Sequence, residues 1–239
     1  MLGFNHLGKL GQLGNQMFQY AALRGIANKT GTNFMIPDHQ EIFDDGIGNK
    51  YTILLFDVFN LNNASYKGML DTIHYVQESH FHFDEEMFDL SKKENYSLYG
   101  YFQSEKYFKH IEDSIRIDLS FKDDIKNYCE PLRKQFKDPI SLHIRRGDFL
   151  INHKFHPPLE LDYYEEALKE FDSNRDVIIF SDDTDWCKEQ KLFEDDRFAV
   201  AEGGNQFYDM CLMTMCDDFI IANSTYSWWG AWLGNRGKV

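Results

Sequence analysis

Hydrophobic and polar positions along the chain fall into two regimes, one on either side of Pro139. Beyond it the pattern is regular. Ile140, Leu142 and Ile144 alternate with Ser141, His143 and Arg145, the period of two that a strand requires. Tyr164, Ala167, Leu168 and Phe171 recur at helical spacing, which predicts a helix over 161–171. Val177-Ile178-Ile179-Phe180 and Phe219-Ile220-Ile221-Ala222 are unbroken apolar runs, as in strands buried on both faces of a parallel sheet. A short helix over 186–190, a short strand over 198–200 and helices over 207–216 and 226–233 complete the alternation. Strands and helices in alternation predict an open parallel α/β sheet.

Before Pro139 the pattern is weaker. Met17 to Ala27 carries apolar residues at spacings of three and four and reads as a helix. Gly11-Gln12-Leu13-Gly14-Asn15-Gln16 stands just ahead of it, where unpaired backbone N–H groups point outward. Residues 30–110, rich in Asn, His and Phe, read as short strands and helices, and 121–138 as a charged helix followed by a connector. A domain boundary is expected at Asp138/Pro139, giving domains 1–138 and 139–239. The closing Gly237-Lys238-Val239 reads as a turn entering a further strand.

Composition narrows the function. A net charge of −14 argues against nucleic acid, whose binding rests on clustered Lys and Arg. An anionic small ligand then needs a local positive site. The 21 Phe and 13 Tyr fit aromatic packing first and a sugar-stacking cleft second. Cys129, Cys187, Cys211 and Cys216 lack C-x-x-C spacing and read as free thiols of a reducing compartment. There is no signal-peptide pattern, and no apolar run approaches the ~18 residues of a membrane span. The expectation is a soluble cytoplasmic chain or one peripheral at a membrane, with the sequons at Asn63 and Asn223 incidental.

Three polar clusters follow three of the expected strands. They are His143-Ile144-Arg145-Arg146-Gly147-Asp148, Ser181-Asp182-Asp183-Thr184-Asp185 and Asn223-Ser224-Thr225-Tyr226-Ser227. In open α/β sheets, ligands bind at the carboxyl ends of the strands. Arg145 shares a strand face with His143 and can fork onto a phosphate, while Arg146 points the other way and Gly147 lets the chain turn. Ser224, Thr225 and Ser227 open a helix, where hydroxyls and N–H groups bind anions or simply cap. Asp183 can accept from a base or ribose, or cap a helix. No G-x-G-x-x-G and no G-x-x-x-x-G-K-[ST] occurs. Asp183-Thr184-Asp185 spells the D-x-D of metal-dependent glycosyltransferases and keeps that reading open. A non-catalytic sugar-nucleotide-binding protein is the third reading.

GQLGNQMFQYAALRGIA, SLHIRRGDF, IIFSDDTDWCKE and IIANSTYSWWGAWLG together resemble the α-1,2-fucosyltransferases of glycosyltransferase family 11. The resemblance implies an α/β, GT-B-like fold of two Rossmann-type halves with parallel sheets and the donor site in the cleft. It implies an amino-terminal domain on the acceptor side and a carboxyl-terminal domain that binds a GDP-sugar, and the lack of a membrane-anchor pattern leads to the expectation of a bacterial or viral enzyme. The donor would be GDP-β-L-fucose and the acceptor a galactose-terminated oligosaccharide fucosylated at its 2-hydroxyl, with inversion and with neither metal nor cofactor. Arg145 would hold the β-phosphate, His143 would lie beside the nucleoside and Asp183 would read guanine. Ser224, Thr225 and Ser227 would line the phosphates, and Asn15 and Gln16 would reach the donor from the other domain. Arg146 completes the donor set by fixing Asp148 or the opposite domain, and Asp148 is the expected general base. Against the family pattern the chain looks short at its carboxyl end, and acceptor specificity is expected within 35–110.

Overall fold

The computed structural model describes residues 1–39, 43–44, 50–62, 64, 68–71, 74–91, 93–151, 153–202 and 204–239. Contacts divide the chain into two units, Met1–Lys122 and Asp123–Val239.

In the first unit, β1 (Leu2–Gly3) leads to α1 (Leu13–Thr30), β2 (Phe34–Met35), β3 (Phe43–Asp44), β4 (Lys50–Tyr51) and α2 (Leu55–Val58). Then come β5 (His74–Gln77), β6 (Tyr96–Tyr99) and α3 (Glu112–Asp118). Four of these strands form a sheet in the order β2-β1-β6-β5, with every pairing parallel. Met17, Tyr20, Ala21, Ala22 and Leu23 of α1 are fully buried. Tyr20 Oη and Arg24 Nε both donate to Asp118 Oδ2, at 3.0 and 2.8 Å, and so tie α3 to α1. The helix begins earlier than its apolar spacing indicates. Gly14, Asn15 and Gln16 lie in its first turn, and the N–H groups of Asn15 and Gln16 donate to Gln12 O at 3.0 and 3.1 Å rather than pointing outward.

The second unit comprises α4 (Asp123–Arg133), β7 (Ile140–Ile144), α5 (Gly147–Ile151), α6 (Leu161–Leu168) and β8 (Val177–Ser181). It continues with α7 (Thr184–Lys188), β9 (Phe198–Val200), α8 (Gln206–Thr214), β10 (Asp218–Ile220) and α9 (Thr225–Gly234). The sheet order is β10-β7-β8-β9, again wholly parallel. β7 is central and buries all five of its residues. Ile140, Leu142, Ile144, Val177, Ile179 and Ile220 pack with Tyr164 and Leu168 of α6. Each such aliphatic side chain stabilises the unit by about 1.5–3 kcal/mol. Two α/β units on parallel four-stranded sheets are the Rossmann-type halves of a GT-B-like fold.

The boundary lies ahead of Asp138/Pro139 because α4 belongs with the second unit. Its Arg133 donates to Met215 O at 2.8 Å and to Asp217 Oδ2 at 2.6 Å. Gly147 opens α5 instead of making a simple turn. At the end of the chain Phe219 N donates to Lys238 O at 2.9 Å, so the closing residues run beside β10.

Candidate functional site

β7 ends at Ile144, which pairs in register with Ser181, so Arg145 and Arg146 emerge next to Asp182 and Asp183. Asp182 is the hub. Its Oδ2 lies 2.9 Å from Arg145 Nη1, and its Oδ1 accepts the Arg146 backbone N–H at 2.9 Å. Arg145 Nη2 donates to Asp148 Oδ1 at 2.7 Å. Arg146 Nε donates to Asp183 Oδ2 at 3.0 Å, and its guanidinium lies 3.8 Å from the ring centroid of Trp186. Gly147 makes room for the hub: a Cβ there would stand 2.4 Å from Asp182 Oδ2.

This geometry corrects several expected roles. Arg145, not Arg146, holds Asp148. Asp183 is engaged on both oxygens, one taking Arg146 and the other accepting the Trp186 N–H at 3.3 Å as the cap of α7. Of the D-x-D carboxylates, Asp185 is exposed and 3.8 Å from Lys188 Nζ, and Asp183 is paired with Arg146. Among the described residues no group of three or more His, Cys, Asp or Glu side chains is placed to hold a metal ion. Two arginines meet three carboxylates here, Asp148, Asp182 and Asp183, so the cluster is not a simple positive clamp. Arg145 is nevertheless 29% exposed and uses two of its guanidinium N–H groups on these partners. A guanidinium has five, which leaves donors for an anion.

His143 is only 4% exposed, and its ring centroid lies 5.4 Å from that of Tyr226. Burial, aided by the Arg145 charge, holds its imidazole down to about 3, so the ring is neutral. Its Nδ1 has no hydrogen-bond partner among the described residues. β10 pairs Ile220 with Leu142, which brings the start of α9 to the same strand-end edge. Ser224 caps that helix by accepting the Tyr226 N–H at 3.3 Å, and Thr225 is its first residue. Ser227 does not line this edge. It is fully buried and donates to Ala222 O and Ser224 O at 3.1 and 3.2 Å.

Asp209 of α8 was not singled out by its sequence pattern. Burial raises its carboxyl to about 6, and among the described residues no donor bonds it. It borders a cavity of about 160 Å³ with Tyr128, Cys129, Val200, Glu202 and Tyr208. The available signal was an acid set inside the apolar run Phe207-Tyr208-Asp209-Met210-Cys211-Leu212.

In the first unit Asn15 Oδ1 accepts from Gln103 Nε2 at 2.9 Å. Gly11, at φ +89, lies against the Asn15 amide so closely that a Cβ would stand 2.0 Å from its Nδ2. Gln16 is buried and acts as a crosslink rather than a donor contact. Its Nε2 donates to Thr52 O at 3.1 Å, and its Oε1 accepts from Leu54 N at 2.8 Å.

Two parallel α/β halves, the second with polar clusters at its strand ends, have the architecture of the GT-B fold. The profile described as glycosyl transferase family 11 matches residues 3–239, and the chain belongs to that family. An alpha-1,2-colitosyltransferase of Escherichia coli is 32% identical over 94% of this chain and 86% of its own. Galactoside 2-alpha-L-fucosyltransferase SEC1 of Bos taurus is 25% identical, aligning with 96% of this chain and 64% of its own. The crystal structure of POFUT1 in complex with GDP-fucose superposes with a TM-score of 0.59 over 98% of this chain and 94% of that one. At 13% identity that likeness is one of fold. Among the described residues no helix is long and apolar enough to cross a membrane.

Proposed function

We propose that the protein transfers L-fucose from GDP-β-L-fucose to the 2-hydroxyl of a galactose residue in a glycan, inverting the anomeric carbon without a metal ion. The observation that carries this reading is Arg145, a half-buried guanidinium at the end of the central strand with N–H groups to spare. It takes the β-phosphate and stabilises the charge that develops on departing GDP. Ser224, Thr225 and the first N–H groups of α9 take the remaining phosphate oxygens. Neutral His143 and the Tyr226 ring border the nucleoside. Asp209, which carries no ion pair among the described residues, accepts the N1–H and 2-amino group of guanine, while Asp183 serves Arg146 and caps α7.

In the transfer, the acceptor oxygen bonds the anomeric carbon as the bond from that carbon to the β-phosphate oxygen breaks. The electron pair leaves with GDP, and the hydroxyl proton passes to Asp148. The linkage in the names of the two relatives supports the α-1,2 product. The colitosyltransferase, the more similar of them, favours one second reading, in which a colitosyl nucleotide replaces the fucosyl one. Calorimetric titration with GDP, and with IDP, which lacks the 2-amino group, tests the site. The wild-type protein binds GDP, Arg145→Ala weakens it at least about tenfold, and Asp209→Asn loses the preference for GDP over IDP. Equal GDP affinity in wild type and Arg145→Ala contradicts the reading.

A further inference from the structure

The first unit carries an aromatic cluster that no part of the donor site uses. His6 stands in the loop after β1, with its ring centroid 5.5 Å from Tyr75 of β5 and 5.1 Å from Tyr99 of β6. The loop is fixed by Asn5. Its N–H donates to Ser97 Oγ at 3.0 Å, and its amide exchanges bonds of 2.8 and 2.9 Å with the Leu70 backbone. His6 is thereby held beside Tyr99 at the carboxyl end of a parallel sheet, where ligands bind, with Tyr75 next to them on the edge strand β5. Core packing does not account for it, since Tyr75 lies on the edge strand β5 and is 53% exposed. Nor is the cluster purely apolar: His6 Nδ1 is buried without a hydrogen-bond partner among the described residues. Burial and nearby Lys9 lower the His6 pKa, so its imidazole is neutral and can both give and take a hydrogen bond.

An exposed ring beside a neutral polar group matches the chemistry of a pyranose. Aromatic walls with a few placed polar groups are the usual lining of small-ligand sites. Galactose fits well, because its axial 4-hydroxyl leaves the C–H bonds at positions 3, 4 and 5 together on one face. We propose that His6, Tyr75 and Tyr99 form the subsite for the terminal galactopyranose of the acceptor, with Tyr75 stacked on that C–H face and His6 bonded to a hydroxyl. The identity of the sugar rests on the transferase reading above.

Titration with methyl β-galactopyranoside in the presence of GDP, followed by saturation-transfer NMR, tests the subsite. Galactoside affinity is expected to fall about tenfold in Tyr75→Ala, to be retained in Tyr75→Phe, which keeps the ring, and to fall in His6→Ala. GDP affinity stays within about twofold in all three, which separates loss of the subsite from loss of the fold. Unchanged galactoside affinity in Tyr75→Ala overturns the subsite, as does failure of the wild-type protein to bind the galactoside. The transferase reading falls on a different result, failure of the wild-type protein to transfer fucose from GDP-fucose to any galactoside.

Discussion

Asp182 decides where Arg145 points, and Gly147 leaves the space that Asp182 occupies. The pair Arg145–Asp148 is itself half open to solvent, with side chains 29% and 56% exposed, so its Coulomb energy is at most about 1 kcal/mol. Its importance is orientation, and that makes the two possible jobs of Asp148 separable. Asn at this position keeps an oxygen to accept from Arg145 Nη2 but cannot take a proton. If Asp148 is the general base, Asp148→Asn lowers kcat by about 10²–10⁴ with the KM for GDP-fucose little changed. A loss of less than about tenfold would reduce Asp148 to a holder of Arg145. Arg145 itself was legible from strand alternation alone. The hub was not, because Asp182 meets Arg145 only through the β7–β8 register, and no local pattern records that contact. The same limit hid Gln16, whose partners Thr52 and Leu54 come from a segment without periodicity.

At the scale of elements, β7 buries a histidine in the middle of a parallel sheet, and this has a pH signature. The folded His143 imidazole stays neutral down to about pH 3, whereas the unfolded one charges below 6.5. The unfolded state therefore binds the extra proton, and stability is lost as pH falls through 6.5, by about 2 kcal/mol at pH 5. Asp209 works in the opposite direction, since its raised pKa lets the folded state hold a proton that the unfolded state has released. A comparison with His143→Gln isolates the first effect. Urea unfolding at pH 7 and pH 5 is expected to show wild type losing about 2 kcal/mol more than the variant, and equal losses contradict the assignment. The elements of the second unit were readable because buried strands such as Val177–Ser181 are continuous apolar runs and their helices are striped. In the first unit β1 and β2 have two residues each, too short to show a period, and α1 is buried on nearly every side, so its true start at Leu13 left no amphipathic mark.

For the whole molecule, a chain of net charge −14 gathers Arg145 and Arg146 at one sheet edge, and there sets three carboxylates against them. The four cysteines are free and buried, in keeping with the thiols that their spacing indicates. Each half is built on the same plan, a parallel sheet feeding loops at its carboxyl edge, with Arg145 and the start of α9 at that edge in one and His6 and Tyr99 in the other. The three clusters of the second half were visible in the sequence as a coincidence of strand ends, and the pairing of β7 with β8 and β10 turns that coincidence into adjacency. The most direct test of this reading is the product itself: incubation of the protein with GDP-fucose and lactose, with and without EDTA, followed by assignment of the new linkage by NMR. The expected result is fucose α-1,2-linked to galactose, formed equally in both samples. No transfer from GDP-fucose, or transfer that EDTA abolishes and Mn²⁺ restores, would contradict it.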